Sequence, residues 1–139
     1  MKIKCPWTAT SFFQPHFKPD YNPDLLCTVN YICHLFVVDR EIISQVGMLR
    51  KEFDGAQDYD FIFRCVETVK PEQIYHIPRI LYHWRCHEDS TAENPESKTY
   101  AFEAGKRAIE EHYKRTGINA EVLQGEFLGS YRTRFIPDR

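Results

Sequence analysis

One stretch of this 139-residue sequence has room for a long uninterrupted helix, and the rest is cut into short pieces. From about Lys98 to Arg115, Ala101, Ala104, Ala108, Ile109 and His112 recur on one helical face, and Gly117 supplies a stop. Residues 1–24 read as loop, because Pro6, Pro15, Pro19 and Pro23 repeatedly block regular pairing. The apolar run Tyr31–Val38 reads as a buried strand, rich in β-branched and aromatic residues. Asp39 is a fitting N-cap for a short helix over Arg40–Val46, with Gly47 at its exit. A second helix opens near Asp58, carries Phe61, Ile62, Cys65, Val66 and Val69 at helical spacing, and ends before Pro71. Gln73–Ile77 and Arg79–Trp84 are expected as strands on either side of Pro78, and residues 87–98 as a polar loop. The tail alternates over Glu121–Leu128 and Tyr131–Ile136, as a hairpin or connector would. Strands alternating with helices make the expected class α/β.

Composition narrows the function. Eighteen basic against twenty acidic residues give a net charge of −2, which argues against a nucleic-acid clamp and its basic excess. No apolar run approaches the roughly 20 residues that span a bilayer, so no transmembrane segment is expected. Cys5, Cys27, Cys33, Cys65 and Cys86 are odd in number and contain no Cys-x-x-Cys pair. They read as reduced, buried thiols of a cytosolic protein, a poor disulfide framework and a poor zinc site.

Two segments could carry chemistry. In Phe53–Arg64, Asp58 and Asp60 sit at a loop-to-helix junction, where unpaired backbone N–H groups favour negative charge. The structural reading makes them an N-cap and a first-turn acid; the functional one makes one of them a general base. Residues two apart on a helix face opposite ways, which favours Asp58 at the rim as base and leaves Asp60 to pair with Arg64. The Asp-x-Asp form also matches a sugar-nucleotide metal motif, but here it opens a helix instead of ending a strand. The second segment, Leu81–Ser90, offers His83 and His87 with Glu88 or Asp89 as metal ligands, and Trp84 as a sugar-stacking platform. Satisfied strand histidines and a buried aromatic are the plainer alternatives.

The run Tyr31–Arg64 resembles the acceptor half of family 2 glycosyltransferases, which show a strand, an arginine-bearing helix start, a Gly-Gly-Phe turn and a Glu-Asp-x-Asp-Leu-x-x-Arg helix start. Arg40, Gly47, Asp58, Asp60 and Arg64 fall on that pattern. Gln57 replaces the usual Glu, and Met48 the second Gly. Ile77–Arg85 resembles the strand that follows in the family, and Phe17–Leu26 looks like the segment before this half in bacterial polysaccharide-type members. The resemblance implies a loop segment over 1–16, the acceptor-side half of a GT-A domain over 17–116, and a connector or hairpin over 117–139 toward a following domain. The nucleotide-binding half would then precede residue 17 in a longer parent.

What the resemblance implies is part of an inverting glycosyltransferase of surface polysaccharide synthesis, acting on a nucleotide sugar and a glycan acceptor. Asp58 would be the base, and Gln57, Tyr59, Trp84 and Arg85 would bind substrate. His83 would be a metal ligand, and Mg²⁺ or Mn²⁺ would be held mostly by the other half. The location would be cytoplasmic, free or at the inner face of the membrane, and the isolated chain would not transfer sugar. The rival readings are a non-catalytic glycan- or protein-binding module of the same fold, and a small metal-dependent hydrolase built on His83, His87 and Asp89.

Overall fold

The computed structural model describes residues 16–83 and 99–137. Four α-helices and one hairpin appear in chain order: α1 Pro23–Leu26, α2 Arg40–Val46, α3 Gln57–Val66, α4 Thr99–Thr116, then β1 Ala120–Gln124 and β2 Tyr131–Phe135. Short 3-10 turns lie at Lys51–Phe53 and Pro71–Gln73. Local chemistry sets the small helices. Asn22 accepts from the Leu25 N–H at 2.8 Å, and Pro23 starts α1, where a missing N–H costs nothing. Asp39 caps α2 through the Glu41 N–H, and Gly47 leaves it at φ 80°, as the sequence predicts.

The core forms where α3 lies on α4 and the hairpin covers both. Tyr59, Ile62 and Phe63 of α3 meet Ala104, Ala108, Ile109 and Tyr113 of α4, with Leu26, Phe53, Val122 and Tyr131 closing the sides. Small residues on α4 allow the close approach. At Gly105 an added Cβ would fall on Tyr131 Oη, which donates to the Phe102 carbonyl at 2.9 Å. At Gly55, φ 90°, it would lie 2.8 Å from the Ala101 Cβ. In the antiparallel hairpin Val122 faces Thr133 and Leu123 faces Arg132. Residues 120–135, expected as a hairpin or connector, thus pack into the same core as α3 and α4. The hairpin also reaches the start of the fold: Val29 bridges Ser130, and the Tyr131 N–H donates to the Thr28 carbonyl at 2.8 Å.

The expected helix–strand mixture is present, but among the described residues the strands are confined to this hairpin. Tyr31–Val38 is not a strand. An apolar strand needs a partner ladder, and here the carbonyls of Ile32 and His34 are taken instead by the Lys18 ammonium, at 2.6 and 2.9 Å. Residues 73–77 and 79–83 likewise form no strand ladder, with the 3-10 turn ending at Gln73 and the Arg79 N–H donating to the Ile77 carbonyl at 2.7 Å; the remainder of that second expected strand, like the loop over 87–98, lies outside the described residues. Helix α3 stops at Val66, five residues before Pro71. Exposed apolar side chains gather in these irregular segments, including Leu35, Val37, Tyr75, Ile77, Ile80 and Leu81. No helix among the described residues is long and apolar enough to cross a membrane.

Candidate functional site

The first turn of α3 separates its two carboxylates. Asp60 is fully buried, one turn before the buried Phe63 and Arg64. It is neutralised from two sides: Arg64 donates Nε–H at 3.0 Å and Arg50 donates Nε–H at 3.0 Å, with a second Arg50 bond from Nη2. Arg64 also donates to the carbonyls of Val46 and Met48, so the network fastens α3 to the exit of α2. The bond to Asp60 holds the Arg50 guanidinium above its ordinary range. This is a structural use of charge: every buried pole has a partner.

Asp58 is half-buried at the rim. Its Oδ2 accepts from Asn30 Nδ2 at 3.1 Å, so the loop after α1 orients the carboxylate. Two further side chains of that loop face it. Donor atoms of Cys33, His34 and Asp58 all lie within 4.8 Å of one another. Cys33 Sγ also lies 3.9 Å from the Asn30 carbonyl, and the His34 ring stacks on Tyr82 at 5.0 Å. Burial, reinforced by the negative charge of Asp58, pushes the Cys33 thiol up to about 12. Lys18 lies close by and is lowered from its ordinary range by burial. The Asn30 Oδ1 atom is buried and has no hydrogen-bond partner among the described residues.

The other expected site residues fall unevenly. Gln57 is half-buried at the first position of α3, beside Asp58. Tyr59 is a correction: it is 2% exposed, its hydroxyl donates to the Leu26 carbonyl, and its ring stacks on Phe63 at 4.8 Å. Its phenol is consumed by the core and presents no surface to a substrate. His83 is exposed and does not join the Cys33–His34–Asp58 group. Trp84, Arg85, His87 and Asp89 lie outside the described residues.

Cys33 and His34 were not among the candidates that motif reading supplies. No Cys-x-x-Cys or His-x-x-x-His spacing announces them, and their carboxylate partner lies about 25 residues on. The adjacent Cys-His pair was the only local signal. A thiol, an imidazole and a carboxylate also do not fit Mg²⁺ or Mn²⁺, which favour oxygen donors and water.

Comparison with known proteins gives partial matches. The chain is 50% identical over 118 residues to the uncharacterized protein y4gI of Sinorhizobium fredii, covering 84% of this chain and 13% of that protein. It is 43% identical over 121 residues to the O-antigen biosynthesis protein RfbC of Myxococcus xanthus, covering 87% of this chain and 9% of that protein. No family model and no solved structure matches. The chain thus spans about a tenth of the length of these curated relatives.

Proposed function

We propose that this chain belongs to an enzyme of bacterial surface polysaccharide synthesis, and that within it these residues form the acceptor side of an inverting glycosyltransferase. The similarity to an O-antigen biosynthesis protein supports the pathway class. One geometric observation carries the reaction: of two acids in one helical turn, Asp60 is locked into a buried ion network while Asp58 stays at the rim, oriented by Asn30. In this reading Asp58 accepts the proton of an acceptor hydroxyl as that oxygen attacks the anomeric carbon of the donor sugar. The bond from the anomeric carbon to the nucleoside diphosphate breaks, and inversion follows from attack on the opposite face. Gln57 lines the approach to Asp58, and Trp84 and Arg85 supply a stacking surface and a cation for acceptor and diphosphate. A divalent cation that neutralised the leaving diphosphate would be held by other parts of the parent.

The test is turnover of nucleotide sugar by the parent enzyme. Asp58→Asn should leave the fold intact and cut turnover by about 10²–10⁴. Near-normal turnover in that variant would overturn the assignment. Glycan retention by the parent without any transfer would support a binding module instead.

A further inference from the structure

We propose that Cys33, His34 and Asp58 bind a zinc-class divalent cation, with the loop after α1 supplying two ligands and the first turn of α3 the third. The inference does not rest on the transferase reading. The donor atoms already lie within 4.8 Å of one another. A tetrahedral zinc shell, with bonds of about 2.0–2.3 Å, spaces its donors about 3.3–3.8 Å apart, so closing the site asks for about 1 Å of side-chain movement. Mixed sulfur, nitrogen and oxygen donors select zinc, cobalt or nickel over magnesium and calcium. Three protein ligands leave a fourth position for water.

The surroundings fit a cation better than they fit a void. Asn30 fixes the Asp58 carboxylate through Nδ2, the outer support that metal-binding carboxylates require. The same carboxamide ends in a buried Oδ1 with no partner among the described residues, an acceptor for the O–H of a cation-bound water. The stacking of His34 on Tyr82 restrains its ring. Lys18, the neighbouring cation, is committed to the carbonyls of Ile32 and His34.

The experiment uses the whole 139-residue chain, stripped with a chelator and titrated with Zn²⁺ by calorimetry and with Co²⁺ by absorption. One equivalent should bind, with a thiolate-to-cobalt charge-transfer band that Zn²⁺ displaces and excess Mg²⁺ does not. Cys33→Ser should abolish the band, and Asp58→Asn should weaken Zn²⁺ binding by at least about tenfold while keeping it. Circular dichroism checks that both variants fold. Alkylation mapped by mass spectrometry reads the unaltered chain: Zn²⁺ should slow labelling of Cys33 and not of Cys27. No band, a band that survives Cys33→Ser, unchanged affinity in Asp58→Asn, or Cys33 labelling indifferent to Zn²⁺ would each overturn the site.

Discussion

Removing the Asp60 carboxylate should cost this fold more than any other single loss of charge among the described residues. Asp60 has no exposed surface, and Arg64 is only 8% exposed, so Asp60→Ala strands a guanidinium where water cannot easily replace the lost oxygen. Breaking a buried pair by deleting one partner costs about 3–5 kcal/mol. Arg50 lowers that figure, because its side chain is 31% exposed and can turn outward to be hydrated. Arg64 keeps two carbonyl acceptors, Val46 and Met48, which also softens the loss. We therefore expect about 3 kcal/mol for Asp60→Ala, and about 2 kcal/mol for Asp60→Asn, which keeps one acceptor oxygen. Against a total of about 5–15 kcal/mol this is a large fraction. Urea unfolding of the 139-residue chain, followed by circular dichroism, would measure it, with Asp58→Asn as the matched control. That control should stay within about 1 kcal/mol of the parent sequence, since Asp58 sits at the rim. A loss below about 1 kcal/mol in Asp60→Ala would refute the claim that the ion network fastens α3.

Further outcomes are expected. Burial opposes protonation of His112, but its bonds to Cys27 and Glu67 outweigh this and raise it from 6.5 to about 9. That contribution is therefore complete below about pH 6.5 and lost as pH rises through about 9. At full strength it is worth about 3 kcal/mol, and the solvent around the ring reduces it to about 1–2 kcal/mol. Glu67 works in the other direction: burial opposes its charge, but His112 and Arg115 hold it below the usual carboxylate range. Its contribution is present above about pH 4.5 and fades as pH falls through its lowered value; urea midpoints across pH, repeated with His112→Gln, should show the basic limb vanish. Gly105→Ala should lower the melting temperature despite a helix-propensity gain of about 1 kcal/mol, because the new methyl displaces Tyr131 at a cost of about 1–3 kcal/mol; a rise would refute the close approach. Zn²⁺ should inhibit transfer by the parent enzyme reversibly, and Cys33→Ser should relieve that inhibition, because a cation-bound Asp58 carboxylate is a poor proton acceptor; inhibition unchanged in Cys33→Ser would separate the two sites.

What the residues disclose in advance follows the range of the forces involved. Helix α2 is legible because Asp39 and Gly47 sit beside the turns they cap, and α4 because one face recurs from Ala101 to His112, over about three turns. The Asp60–Arg64 pair is legible as an i,i+4 contact, whereas Arg50, joined through the 3-10 turn at Lys51–Phe53, is not. Tyr31–Val38 misleads because its apolar character speaks to burial and says nothing about a ladder partner. Tyr59 misleads in the same way: its place beside Asp58 suggests a site, but the helical turn rotates it into the core. The rim position of Asp58 is readable from periodicity. Its company of Cys33 and His34 depends on how the loop after α1 folds back on α3, which no local pattern encodes.

The link between the hairpin and the loop after α1 has a consequence for the order of folding. Val29 and Ser130 are about a hundred residues apart in sequence, so their bridge closes nearly the whole described chain into a ring. Closing a ring of that length carries a large entropic penalty, which is recovered only once the intervening elements are in place. The hairpin and α4 can form from neighbours, and α3 can dock on α4 across a shorter loop. The Val29–Ser130 bridge and the Tyr131-to-Thr28 bond should come last, giving mutations there φ-values near zero and an effect mainly on the unfolding rate. A chain emerging from the ribosome would hold Asn30, Cys33 and His34 for most of its synthesis before the hairpin arrives to latch their loop down.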